Sequence, residues 1–275
     1  MTMIHDAKLM DDLLDAAHAL ADAARAPILR HFRSPDLNAE NKLLDGFDPV
    51  TLADRQAEAA MRRVLSDRRP NDGVFGEEEG RTAGTSGLTW VLDPIDGTRA
   101  FLAGAPSFGV LIAVHDGDRP ILGVVDQPYI SERFVGVPGE RGFAEMTNRG
   151  ARHRLRTRQG VELKDAIALT TFPEVGTPRE GAGFHAVSRA AKLTRYGLDC
   201  YGYMLVALGQ ADLVIEAGLN AYDILGPMAV VQAAGGVVTD WRGDPCDQGG
   251  RVIAAANKDV HAEALALLAP YLDRN

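Results

Sequence analysis

Cysteine is scarce: Cys200 and Cys246 are the only two in 275 residues. That excludes a disulfide scaffold, and a chain of this length can bury enough surface to fold without one. Long apolar runs are missing too. No uncharged stretch approaches the roughly 20 residues of a membrane span. The first thirty residues are an Ala/Leu/Asp-rich amphipathic pattern, not a basic region followed by an apolar core and a cleavage site. The expectation is a cytoplasmic protein in a reducing compartment, with no membrane partner. Basic charge is in deficit, with 29 Lys and Arg against 38 Asp and Glu and a formal net charge of −9. This argues against nucleic-acid binding, which needs basic patches. It leaves room for an anionic small molecule, because bound cations reverse the local potential. The seven histidines are scattered, which speaks against a dinuclear zinc site. What is present, 46% hydrophobic and 24% charged residues, is the make-up of an ordinary globular domain.

Leu9, Leu13, Ala17, Leu20 and Ala24 recur at helical spacing, so the sequence predicts a helix over 6–26 that Pro27 limits or kinks, with room for a further turn through Ile28 to Phe32. Thr51 reads as the N-cap of a second helix, with Asp54 and Glu58 in its early turns. After Pro70, strand follows strand: 74–75, 89–92, 108–115, 120–127 and 132–136, separated by turn signals. Residues 138–165 read as a Gly- and Arg-rich loop with little periodicity. The second half alternates, with strands over 166–171, 213–216, 236–240 and 252–255 and helices over 201–209, 224–234 and 260–272. The expectation is a single domain over 1–275. It has two closely packed halves, roughly 1–145 (two helices plus an antiparallel meander) and 146–275 (alternating strands and helices). The class is α+β or mixed α/β, layered.

Chemistry concentrates in Trp90-Val91-Leu92-Asp93-Pro94-Ile95-Asp96-Gly97-Thr98. A hydrophobic strand runs into two aspartates, and Pro94 cannot continue a ladder, so the strand is expected to end at Asp93. The turn after it can aim both carboxylates at one point. Gly97 permits close backbone approach, and Thr98 adds a hydroxyl. Carboxylates and carbonyls are the ligands of a hard cation such as Mg²⁺. Asp-Pro and Asp-Gly are also plain turn residues, but the whole string behind a buried strand favours function. Two further acidic places are weaker alone. Glu77, Glu78 and Glu79 follow a strand end and Gly76, and such a run is commonly a solvated loop. Asp223 precedes an apolar helix in what reads as an N-cap position.

Taken together, these residues resemble the inositol monophosphatase family of metal-dependent phosphatases in order and spacing, from the first helix to Asn257. The resemblance implies a layered α-β-α-β-α sandwich of the inositol monophosphatase/fructose-1,6-bisphosphatase type. It also implies two or three Mg²⁺ ions, a homodimer and lithium sensitivity. Glu77 matches a metal-binding glutamate that helps orient water. Asp93, Asp96 and Asp223 match metal aspartates, and the carbonyl of Ile95 matches a backbone ligand. Gly97 and Thr98 match residues that hold the phosphate and polarise the attacking water. Asp54 matches an acid that partners the threonine, and Lys42 a lysine near the phosphate. Tyr222 stands where many members have Trp, and Leu225-Gly226-Pro227 replaces a run of small residues.

Rival phosphatase designs fit less well. Cys246 and Arg251 have four residues between them where a cysteine-dependent phosphate loop has five. Asp93 and Asp96 are separated by two residues where an aspartyl-phosphate enzyme has one. Within the family, Asp126–Tyr129, Arg195–Tyr203, Gly209–Glu216 and Gly235–Trp241 look most like the histidinol-phosphatase branch. Asp199 and Glu216 then become candidates for the cationic alcohol of histidinol phosphate. Asp199 is equally placed to cap the next helix, and Glu216 falls at a polyol-contacting position. An inositol or broad sugar monophosphatase stays open. So does a nucleotide 3′-phosphatase using Arg179 and Arg189, and so does a metal-binding relative without turnover.

Overall fold

Leu13, Ala17, Leu20, Ala24 and Ile28 form one fully buried stripe along helix α1 (Ala7–His31). The helix does not stop at Pro27. Pro27 forfeits one N–H bond, and Ile28 beyond it docks in the core, so another turn forms. The computed structural model describes residues 7–35, 39–41, 49–140 and 142–272. Lys42 lies outside the described residues.

A short pair, β1 (Ala39–Asn41) and β2 (Pro49–Thr51), precedes α2 (Leu52–Arg68). Thr51 caps α2 as expected, and Asp54 accepts the Thr51 N–H in return, at 2.9 Å. The next strands are β3 (Gly73–Gly76), β4 (Gly80–Thr82) and β5 (Thr89–Asp96). One turn of helix, α3 (Thr98–Leu102), leads to β6 (Gly109–His115), β7 (Pro120–Gln127), β8 (Glu132–Val137), β9 (Phe143–Asn148) and β10 (Ala151–Arg154). They form one sheet in the order β10-β9-β8-β7-β6-β5-β3-β4, an antiparallel meander from β5 to β10 with β3 parallel to β5. The expected loop over 138–165 is therefore corrected: it holds β9 and β10. All of β10 is exposed at the sheet edge, so it carries no apolar alternation to read.

The second sheet follows. It uses β11 (Ile167–Thr170), β12 (Leu193–Tyr196), β13 (Leu213–Leu219), β14 (Val237–Thr239) and β15 (Gly250–Ala255), in the order β12-β11-β13-β15-β14. Its helices are α4 (Pro178–Ala190), α5 (Asp199–Ala207), α6 (Ala221–Ala233) and α7 (Lys258–Leu268). Helix α4 and strand β12 were not expected. The signal for α4 was present, since Thr177 and Glu180 make a capping box with Pro178 in the first turn.

Alternation along the strands sorts the core into layers. Trp90, Leu92, Ile112 and Val124 face α1 and α2. Val91, Leu111, Ala113 and Val125 face the opposite way, onto α5 and α6, which also meet Leu169, Val214 and Ala254 of the second sheet. Leu213, Ile215 and Ile253 turn outward to α4 and α7. The result is the expected α-β-α-β-α sandwich, with α5 and α6 between the sheets. Helix α6 lies very close to the first sheet. Gly123 and Gly136, register partners on β7 and β8, both face it. A Cβ on Gly123 would lie 2.7 Å from that of Ala229, and one on Gly136 would overlap the Val230 backbone. Among the described residues no helix is long and apolar enough to cross a membrane.

Candidate metal centre

Strand β5 does not end at Asp93. It runs on to Asp96, and its register against β6 slips between Asp93, opposite Leu111, and Asp96, opposite Gly109. Pro94 sits in this irregularity, where no ladder donor is needed. The bulge re-aims the chain so that Asp93 and Asp96 turn into one cleft. Asp93 Oδ1 accepts the N–H of Ile95 at 3.0 Å, and the Thr98 hydroxyl donates to the Ile95 carbonyl at 3.1 Å. Gly97 follows with φ +79°, and a Cβ there would come within 2.9 Å of the Asp199 side chain. Both conditions require glycine.

The third carboxylate comes from the far side of the cleft. Asp223 is not the N-cap of α6 but its third residue; Asn220 takes the cap position, and its N–H donates to Asp223 Oδ2 at 2.6 Å. One oxygen each from Asp93, Asp96 and Asp223 lie within 4.8 Å of one another. Glu77, just past β3, extends the ladder through its N–H to Leu92 O at 3.1 Å and lines the same cavity. Burial first, then Glu77, Asp96 and Asp223, push the Asp93 carboxyl well above the ordinary range. Burial, Asp199 and Asp223 do the same to Asp96. Two neighbouring carboxyls, Asp93 and Asp96, that both resist ionisation are what a hard divalent cation relieves. The donor set fits such an ion.

The cavity has a volume of about 290 Å³. Its other wall carries Asp199, Glu216 and Tyr203. Asp199 does not cap α5: it has φ +47°, accepts from the Ser107 hydroxyl at 3.0 Å, and is pushed up by burial. Glu216 on β13 is 7% exposed. Its Oε1 accepts the N–H and hydroxyl of Thr171 at 2.7 and 2.9 Å, and burial raises it to about 7. The Tyr203 hydroxyl is buried without a hydrogen-bond partner among the described residues. Arg99 stands at the rim with its guanidinium 4.9 Å from the Phe172 ring.

Not every expected residue arrives. Asp54 is buried and raised to about 7, chiefly by desolvation, with Glu77 and Glu78 adding to the push. Its carboxylate accepts from the Thr51 N–H and hydroxyl, while the Thr98 hydroxyl turns to Ile95. The expected Asp54–Thr98 pair is therefore not formed. The capping box of α2 claims the carboxylate first. Thr171, Asn220, Arg99 and Tyr203 line the cavity and were not singled out from the sequence. Asn220 had a signal, since a cap residue three before an acid is a capping box.

Glu216 gives a pH prediction. A carboxyl raised from 4.5 to about 7 in the fold favours the folded state while protonated. That contribution is complete below the unfolded value, fades as pH rises toward 7, and is gone above it. Glu216→Gln keeps the acceptor for Thr171 and removes the titration. Melting of the metal-free proteins from pH 4 to 8 should show the variant gaining on the native chain across this window. Parallel curves would remove the assignment.

Comparison with known proteins agrees with this geometry. The model of the inositol monophosphatase family matches residues 9–273. The bifunctional phosphatase IMPL2, chloroplastic, of Arabidopsis thaliana is 36% identical over 94% of this chain and 75% of its own length. The histidinol-phosphatase of Streptomyces coelicolor is 37% identical over 94% of this chain and 98% of its own. Among solved structures, an inositol monophosphatase from Zymomonas mobilis superposes with a TM-score of 0.81 at 39% identity, covering 94% of this chain and 98% of that one. A carboxylate cluster at a strand bulge, closed by the first turn of an interlayer helix, thus sits in a chain that belongs to the inositol monophosphatase family and is a phosphoric monoester hydrolase.

Proposed function

We propose that this chain hydrolyses histidinol phosphate to histidinol and phosphate with Mg²⁺. The ion ligands in this reading are Glu77, Asp93, Asp96, Asp223 and the Ile95 carbonyl. The observation that carries the metal reading is the convergence of three carboxylate oxygens within 4.8 Å. Bound there, Mg²⁺ supplies charge neutralisation and a water of lowered pKa. The protein supplies position. Glu77 and the Thr98 hydroxyl orient the attacking water, and Gly97 and Thr98 offer backbone amides to the phosphate. Asp54 becomes the partner of Thr98 only by exchanging its Thr51 bond. The P–O bond to the alcohol breaks, the water oxygen takes its place on phosphorus, and the alcohol leaves with a proton.

The substrate assignment rests on the acidic far wall. Asp199 and Glu216 face the space the alcohol must occupy, and histidinol carries an ammonium and an imidazole. A cation beside Glu216 favours its ionised form, against the burial that raises it. Relatives named as histidinol-phosphatases support the same reading. An inositol phosphate is the second reading, favoured by the likeness to the Zymomonas mobilis enzyme. Phosphate release with Mg²⁺ from L-histidinol phosphate and from myo-inositol 1-phosphate, at equal concentration, separates them. The expected preference for histidinol phosphate is about a hundredfold in kcat/KM, a discrimination of ~3 kcal/mol. Equal rates, or preference for the inositol ester, would discard the substrate and leave the metal chemistry in place.

A further inference from the structure

Helix α2 carries a polar stripe on a buried face. Asp54, Glu58 and Arg62 follow one another at intervals of four and so lie on one side. Glu58 is fully buried. Its carboxylate does not touch the metal cleft. It turns to the segment that follows β3, where Oε2 accepts the N–H of Glu78 at 2.7 Å and Oε1 that of Glu79 at 3.0 Å. Arg62 closes the arrangement. Its Nε donates to Glu58 Oε1 at 2.8 Å, another nitrogen donates to the Gly80 carbonyl at 2.6 Å, and Glu79 lies 3.5 Å away. A Cβ on Gly76 would overlap the Glu58 carboxylate, so glycine is required there for the approach.

Three successive amides are thereby fixed. The Glu77 N–H is held by Leu92 of β5, the strand that ends in Asp93 and Asp96. The Glu78 and Glu79 amides are held by one buried anion. A turn at a sheet edge can hydrogen-bond to water; spending a buried charge on it calls for a stronger reason. We propose that Glu58, seated by Arg62, is a positioning residue that sets Glu77 for its metal before the metal arrives. This rests on the reading of Glu77 as a metal ligand. Charge-assisted hydrogen bonds to both following amides hold the Glu77 backbone against the repulsion of the acidic cluster. The metal then meets a preformed ligand and spends none of its binding energy ordering the turn.

The test compares Glu58→Gln with Glu77→Gln and the native enzyme. Glutamine keeps the shape, but its amide group faces one of the two N–H donors. Calorimetric titration of Mg²⁺ should give a dissociation constant raised about tenfold in Glu58→Gln, in the range of residues that orient a metal ligand. The Mg²⁺ needed for half-maximal turnover should rise in step, and kcat should recover at saturating Mg²⁺ with the substrate KM unchanged. A fall in melting temperature with native Mg²⁺ affinity would reduce Glu58 to a structural role and overturn the proposal. If Glu77→Gln also keeps native affinity, the ligand assignment fails; if it loses affinity while Glu58→Gln does not, only the positioning role fails. Should Glu58→Gln not fold, Arg62→Met is expected to weaken Mg²⁺ in the same direction, and native affinity there counts against the proposal. Hydrogen exchange on the native, metal-free enzyme gives a further check. The Glu78 and Glu79 amides should already be slow, and rapid exchange there would overturn preorganisation.

Discussion

Asp93→Asn should lower turnover by about three orders of magnitude or more, equivalent to ~4 kcal/mol of barrier, while the metal-free protein becomes harder to melt. Both effects come from one carboxylate. Asp93 is 2% exposed and surrounded by Glu77, Asp96 and Asp223, so its ionised form is disfavoured in the fold. Asparagine has the same shape and keeps the Oδ1 that accepts from Ile95, so the bulge of β5 stays in place. What goes is one charge, and with it both a ligand and a source of repulsion. Phosphate release at saturating Mg²⁺ and melting in a chelator read the two effects separately. Activity within about tenfold of native, well short of the loss of a metal ligand, would remove Asp93 from the centre.

A second large effect is expected far from any charge. Gly123→Val should destabilise the fold by about 3 kcal/mol or more, which for a chain of this size lowers the melting temperature by roughly 10 °C. It should also weaken Mg²⁺ binding. Gly123 and Gly136 are paired across β7 and β8, and together they form the notch in which α6 sits. Even one added carbon at Gly123 meets Ala229 at 2.7 Å. The helix must lift, and Asp223 in its first turn lifts with it. A variant that melts lower but binds Mg²⁺ like the native enzyme would show that α6 yields locally without moving its N-terminus.

Much of this site is legible in the sequence because its central residues are contiguous. Asp93 to Thr98 needs only a local irregularity to converge; residue type marks it as a turn at Pro94, and the structure makes it a bulge within β5. The layered class follows from the order of strands and helices along the chain, and the apolar runs of β6 and β7 fit strands buried on both faces. What could not be read is what depends on a partner distant in sequence. Pro27 leaves open a stop, a kink or a further turn, and burial of Ile28 decides for the turn. The edge strands β10 and β12 are exposed, so no apolar pattern marks them. Asp54 is drawn to Thr51 by a local cap that a family resemblance does not weigh. The run Glu77–Glu79 resembles a solvated loop because Glu58, which holds the Glu78 and Glu79 amides, lies some twenty residues earlier on α2. The expected 138–165 loop failed for a similar reason: arginines and glycines hid the β9–β10 hairpin.

The cluster also bears on how long the folded molecule lasts. Asp93 and Asp96 belong to the first sheet and Glu77 directly follows its strand β3, whereas Asp223 comes from α6, packed between the two sheets. In the unfolded chain Asp223 is remote from Asp93 and Asp96, so the three carboxylates share no site there. Cations then stabilise by mass action on the native state alone. The melting temperature of the native chain is therefore expected to rise with the concentration of the divalent cation. Proteolysis, which acts on the opened chain, is then expected to slow as the supply of that cation rises.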